Sequence, residues 1–336
     1  MRVSRLAIER ELRQRICAGT YAPGSRLPLR SELLTEFDCS PLTLQRAMDR
    51  LAEQGFIFSK GSKGTLVAKR LPNQGSIALL IPDPDKRPPN RFWSALQRAA
   101  EGWDPAQGIV FKPYYPTDRI LDVPEHRRLC ADLADGGLAG ILSVSSPFWL
   151  AGSPVLAAEI PRVCIGTSSP GVLERYRASF LSLGSDCEEA VLRRFRSDGR
   201  RRVAFLTDQI RTACPWLPLL RELGLETRPE WWLGMSPNAA EGAHAMIRLL
   251  CSLPEARRPD CLLITDDNLV PHATAGALEA GLQPPRDLLV AAHANFPYPT
   301  HAAFPCLRFG VDVTAILQAT VAEIARLADG RNRAAC

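Results

Sequence analysis

No run of about 18 or more apolar residues occurs in this chain, so no transmembrane helix is expected. The opening stretch MRVSRLAIERELRQRICAG is charged throughout and lacks the apolar core of a secretory signal, which places the expected location in the cytoplasm. Ten cysteines are scattered singly from Cys17 to Cys336, with no CxxC pair and no Cys/His cluster at zinc-ligand spacing. They are expected to be reduced, many of them as small core residues, and no metal site is expected. No lysine follows Lys112, and no pyridoxal-lysine context is present. GxSxG, HExxH and Walker-type phosphate loops are missing as well, so no enzyme class and no cofactor are indicated. Asp266-Asp267 is an acidic pair, but further metal ligands at suitable spacing are lacking.

What is present is an uneven charge. Residues 1–70 hold thirteen Lys and Arg against seven Asp and Glu, an excess of +6, while residues 71–336 hold 28 against 29. A basic module attached to a nearly neutral remainder is the electrostatic footprint of nucleic-acid binding. The length of 336 residues implies two or three folding units, and 46% hydrophobic residues suffice for ordinary cores.

The most informative stretch is SPLTLQRAMDRLAEQG, Ser40 to Gly55. Ser40 can cap a helix that Pro41 starts, and Gly55 can end it in the left-handed conformation. Leu44, Ala47, Met48 and Leu51 share one face, which leaves Leu42, Thr43, Gln45, Arg46, Asp49 and Arg50 opposite. Upstream, residues 4–19 read as a helix with Ile8, Leu12 and Ile16 inward, and Leu29 to Phe37 as a second. Asp38-Cys39 make the short turn of a helix-turn-helix. Downstream, Phe56–Ser59 and Thr65–Ala68 flank the glycine-rich turn KGSKG, a basic hairpin. Three helices and such a wing make a winged helix.

Residues 7–67 resemble the DNA-binding domain of the GntR family of bacterial regulators. The resemblance rests on Gly19, Tyr21, Pro23-Gly24 and Leu27-Pro28 in the loop. It continues through Glu32-Leu33, Ser40, Thr43, Ala47, Leu51, Gly55-Phe56-Ile57 and Gly61 to Gly64-Thr65. Ser31, Pro41 and Gln45 stand where many members carry arginine. The resemblance implies DNA contacts from Arg26, Arg30, Ser40, Thr43, Gln45, Arg46, Lys60, Lys63 and Gly64. Arg46 suits guanine and Gln45 adenine, while Thr43, the lysines and Arg26 suit phosphate.

After LPNQG (residues 71–75), which reads as a linker, apolar strands alternate with helices, the pattern of parallel sheets covered on both faces. The stretches SIALLIPDPDKRPPNRFWSALQRAAE, LGSDCEEAVLRRFRSDGRRRVAFLTD, PDCLLITDDNLVPHATAGALEAGLQPPRDLLVAAH and LRFGVDVTAILQATVAEIARLADG resemble, in that order, segments of LacI/GalR-type effector domains, themselves similar to periplasmic binding proteins. The implied fold is two α/β lobes over residues 76–330 with a ligand cleft between them and a tail at 331–336. Effector contacts are expected at strand carboxyl ends: Asp83, Phe92, Trp93, Ser145, Asp186, Arg211, Asp266, Asp267 and His293, with Asp85 and Arg87 nearby. Asp267 matches the Asp of the family's N-D loop. Thr212 aligns with the family's ligand arginine, and Ala294-Asn295 with its D-D pair.

The expected protein is thus multi-domain: an α+β winged helix-turn-helix followed by a periplasmic-binding-protein-like α/β unit. Its expected role is a homodimeric, sequence-specific transcription regulator, a repressor by family analogy. A small-molecule effector, a carbohydrate by the same analogy, would modulate its binding to double-stranded operator DNA. The alternative is an enzyme or solute-binding protein of the α/β class with an accessory winged helix.

Overall fold

The structure is a computed structural model. It describes residues 4–17, 19–61, 64–68, 76–82, 90–104, 109–115, 123–144, 152–166, 178–182, 186–208 and 214–334. The expected linker, residues 71–75, lies outside the described residues.

The N-terminal module is built from three helices, α1 (Arg5–Cys17), α2 (Arg30–Phe37) and α3 (Pro41–Glu53), and the strands β1 (Ile57–Ser59) and β2 (Thr65–Val67). The four-residue repeat of α1 does what its spacing predicts: Ile8, Leu12 and Ile16 are fully buried. They meet Leu33 and Phe37 of α2, the apolar seam of α3, and Phe56 and Val67 of the hairpin in one core. The hairpin pairs antiparallel, Ile57 with Val67 and Ser59 with Thr65, and Arg26 bridges to Leu66 from the loop. Arg15 clips the helices together. Its guanidinium donates to Glu11 (2.8 Å), Glu36 (2.5 Å) and Tyr21 (3.3 Å) and lies over the Phe37 ring.

The first α/β sheet has the order β4 (Val110–Tyr114), β3 (Ser76–Leu80), β5 (Gly140–Ser143), β6 (Arg162–Ile165), β7 (Ser179–Leu181), with every pair parallel. β3, β5 and β6 are buried along their whole length, as uninterrupted apolar strands must be when helices cover both faces. α5 (Pro124–Ala134) and the short α6 (Pro154–Ala157) pack on one side.

The second sheet has the order β12 (Leu307–Asp312), β11 (Leu289–Phe296), β10 (Cys261–Ile264), β8 (Val203–Thr207), β9 (Trp232–Gly234), again all parallel. Its helices are α4 (Arg91–Glu101), α7 (Asp186–Ser197), α8 (Leu217–Leu223), α9 (Gly242–Cys251) and α10 (Val270–Glu279). The terminal helix α11 (Val313–Ala334) runs on into the stretch expected as a tail.

The chain divides into two compact units. One comprises residues 1–83, 102–181 and 320–336, and the other residues 84–101 and 182–319. Gly140 shows how the late segment joins the first unit. A Cβ at this glycine would meet the buried Ile324 side chain at 2.6 Å, so the absent side chain lets α11 settle on β5. Every described cysteine except Cys17, whose side chain is not described, is a free thiol. Cys164, Cys251 and Cys261 are buried, and burial pushes their thiols upward.

Candidate nucleic-acid interface and effector site

α3 begins as its sequence requires. The Ser40 hydroxyl accepts the Thr43 N–H at 3.1 Å, and Pro41 occupies the first turn, where a missing N–H costs nothing. Leu44, Ala47, Met48 and Leu51 are buried, so the polar residues between them face away from the core. Gly55 takes φ 78° and lets the chain leave the helix for the wing.

On the outward face the expected contact residues differ in readiness. Arg46 is exposed and has no ion pair among the described residues. Arg30 is exposed at the first position of α2, and Lys60 is exposed at the wing. Thr43 is half-buried, and its hydroxyl shares a 2.8 Å hydrogen bond with Ser40, so both side chains are engaged by the cap. Gln45 donates its amide N–H to Asp49 at 2.6 Å, one helical turn on. The sequence did not single out Asp49 as the partner that holds Gln45, although the four-residue spacing carried the signal. At the wing, Lys60 N–H bonds the Gly64 carbonyl at 3.0 Å, and Gly64 takes φ 79°. The Arg26 guanidinium lies directly over Gly64, where a Cβ would meet its Nε at 2.7 Å. Arg26 and Gly64 are therefore brought together, while Lys63 lies outside the described residues.

In the second unit, β10 and β11 are neighbours in register, and their carboxyl ends carry the polar cluster. Asp267 is 3% exposed and accepts hydrogen bonds from Asn295 Nδ2 at 2.6 Å and Thr300 Oγ1 at 3.2 Å. Burial, aided by the adjacent Asp266 charge, pushes its carboxyl up to about 6 against those two hydrogen bonds. Asp266 accepts from the backbone and side-chain N–H groups of Asn268 at 2.8 and 2.7 Å. Asn268 in turn accepts the Arg91 N–H at 3.1 Å and so anchors the start of α4. His293 stands edge-on to Phe309 at 5.7 Å, and burial holds its imidazole below the usual range.

Two buried atoms here, Asn295 Oδ1 and His293 Nδ1, have no hydrogen-bond partner among the described residues. Such atoms are uncommon in a finished interior and mark where a further polar group fits. The geometry therefore gathers Asp266, Asp267 and His293 and adds Asn295 and Thr300. Phe92 and Trp93 are half-buried on α4, next to the Arg91 that Asn268 holds. Asp186 is exposed at the first position of α7. Asp83, Asp85, Arg87, Ser145, Arg211 and Thr212 lie outside the described residues. Among the described residues, no group of three or more His, Cys, Asp or Glu is placed to hold a metal ion. None of their helices is long and apolar enough to cross a membrane.

Residues 5–67 match the bacterial regulatory proteins, gntR family. The N-terminal module is a GntR-family helix-turn-helix domain. This GntR-type head is also similar to the uncharacterized HTH-type transcriptional regulator YurK of Bacillus subtilis, 37% identical over 49 residues. That match covers 15% of this chain and 20% of YurK, so the chain spans about a fifth of the curated relative.

The α/β part has the fold of LacI-type regulators. A LacI family transcriptional regulator from Lactobacillus casei, solved with bound sucrose, is 20% identical, with 76% of this chain and 92% of that one covered and a TM-score of 0.55. The lac repressor dimer bound to operator and the anti-inducer ONPF is 12% identical, with 76% and 87% covered and a TM-score of 0.56. At these identities the likeness is one of fold.

Proposed function

We propose that this chain is a transcription regulator in which the GntR-type head binds operator DNA and the LacI-type part takes a small-molecule effector. The observation that carries the reading is the outward face of α3. It is a capped helix fixed on its own core, with Arg46 exposed and a glycine-rich wing carrying Lys60 beside it. A recognition helix in the major groove needs that presentation, and Arg46 has the fork to read guanine.

The effector reading is supported by the buried cluster at the ends of β10 and β11. Asn295 Oδ1 can accept, and His293 Nδ1 can donate or accept, a hydrogen bond there; neither has a partner among the described residues, and Asp266 is half-buried beside them. Hydroxyl groups of a sugar-like molecule would supply such partners, and one fold relative was solved with sucrose. The protein acts as a homodimer on a two-fold-related site in the cytoplasm, and it represses. Effector binding favours one conformation over another with different operator affinity.

Selection from a random duplex library with the purified chain tests the head. Enrichment of a defined site is expected, and Arg46→Ala should weaken binding to that site by about 1–3 kcal/mol. Enrichment of nothing over random fragments, with the Arg46→Ala chain binding equally well, would sink the reading. A thermal-shift series with sugars tests the effector: a ligand at about 100 times its Kd should add about 2.7 kcal/mol of stability.

A further inference from the structure

Within the first unit, a cavity of about 430 Å³ opens between α1 of the head and the β4–α5 side of the first sheet. Arg13 forms its built wall. This side chain is 7% exposed, and its guanidinium meets Glu9 at 2.5 Å, Gln54 at 2.6 Å and the Asp135 carboxylate at 3.3 Å. Glu9 belongs to α1, Gln54 caps the end of α3, and Asp135 caps the end of α5, so one buried cation ties the reading helix to the sheet domain.

The acidic groups of the cavity are thereby answered. Glu9 and Asp135 are held by Arg13, and Asp132 accepts the Tyr114 hydroxyl. The basic ones are not. Arg50 pairs with Glu53 at 3.0 Å, but Arg5 and Arg10 from α1 and Lys112 from β4 line the same space with no ion pair or hydrogen bond among the described residues. Three cations facing one concavity repel one another until an anion arrives. The volume falls in the range of small-molecule sites, about 300–1,000 Å³. It is far too small for a DNA duplex, whose major groove alone is about 12 Å wide.

We propose that this cavity binds a small phosphate-bearing molecule, with the phosphate held by Arg5, Arg10 and Lys112. A dianion with three acceptor oxygens matches three cationic donors better than a single carboxylate does. Because the ligand is gripped from α1 on one side and β4 on the other, it clamps the head to the sheet beside the Arg13 contact. This is a second input to the reading helix, separate from the strand-end cluster of the other unit, and it does not depend on the DNA reading.

Calorimetric titration of the full chain at constant ionic strength tests it, with inorganic phosphate and glucose 6-phosphate as probes and glucose as the uncharged control. One site is expected for at least one phosphate probe. Arg10→Ala and Lys112→Ala, one on each wall, should each weaken it by about tenfold. Arg46→Ala should leave it unchanged. A preference for the ester over inorganic phosphate assigns a phosphorylated metabolite, and equal or better binding of inorganic phosphate assigns the free ion. The proposal is overturned if neither probe gives heat above chloride, or if Lys112→Ala leaves the affinity unchanged, which would leave the anion to the head alone. It is equally overturned if glucose 6-phosphate binds the doubly substituted chain as well as the original, which would place it elsewhere.

Discussion

The head and the second α/β unit handle their polar residues in opposite ways. In the head, the cations that shape the fold are held by carboxylates and by polar side chains. Arg15 serves Glu11, Tyr21 and Glu36, and Arg13 serves Glu9 and Gln54. Others, among them Arg30, Arg46 and Lys60, stand in solvent. In the second unit the reverse holds. The polar cluster is buried, and two of its atoms, on Asn295 and His293, have no hydrogen-bond partner among the described residues. The first arrangement suits a partner that is large and highly charged, because exposed cations cost nothing until phosphate replaces water. The second suits a small molecule that must be enclosed, because the incomplete hydrogen bonding is recovered when the ligand arrives.

The comparison breaks first where backbone geometry leaves no room. Gly310 of β12 has φ 142°, and a Cβ there would meet the Ala294 carbonyl at 2.1 Å. Gly310→Ala must part β12 from β11 beside the cluster, a loss on the order of 4 kcal/mol in urea unfolding, while the head keeps its fold. Leu51→Ala is the counterpart in the head. It empties a fully buried position and should cost about 2–5 kcal/mol, with DNA binding lost and the α/β parts intact by hydrogen exchange.

A finer probe is pH. Asp267 has a folded-state carboxyl pushed up to about 6 from 3.8, so the folded chain binds a proton more tightly than the unfolded chain. That contribution to stability is fully present at low pH and is lost as pH rises from about 4 to 6, by roughly 1.4 kcal/mol per pH unit at most. Asp267→Asn, which still offers an acceptor to Asn295 and Thr300, should remove that slope. The check is the difference between the two stability–pH curves, and parallel curves would refute the assigned cause. The smallest effect is at the head's cap, where Ser40→Ala should cost about 1 kcal/mol and loosen Thr43 with it.

The same contrast governs what the sequence disclosed. The reading helix was legible because its start, seam and stop all lie within Ser40 to Gly55, and short-range rules operate at that distance. The wing was legible for the same reason. The bond between Gln45 and Asp49 was also local, yet pattern reading treats surface residues singly and passed over it. The strand-end cluster was only half legible. Asp266, Asp267 and His293 could be placed at strand ends and Asn295 aligned with the family's D-D pair, but Thr300 lies 33 residues from Asp267 in a loop and meets it only in the folded chain. β7 and β9 carry no signal of their own in the sequence, because three-residue edge strands have too little periodicity to stand out. β11 extends to Phe296 because β12 pairs with its last six residues.

The placement of Ile324 against Gly140 has a consequence for the order in which the protein comes into being. Among the described residues, the core of the head is built from positions between Ile8 and Ala68, so it is complete early in synthesis. The first α/β sheet, although its strands follow at once, receives a closing helix segment from residues 320–334, made well after those strands. A ribosome stalled anywhere in between would therefore carry a finished helix-turn-helix module attached to an unfinished α/β sheet. A messenger cut short in the same region would release the folded N-terminal module without the segment that closes the sheet.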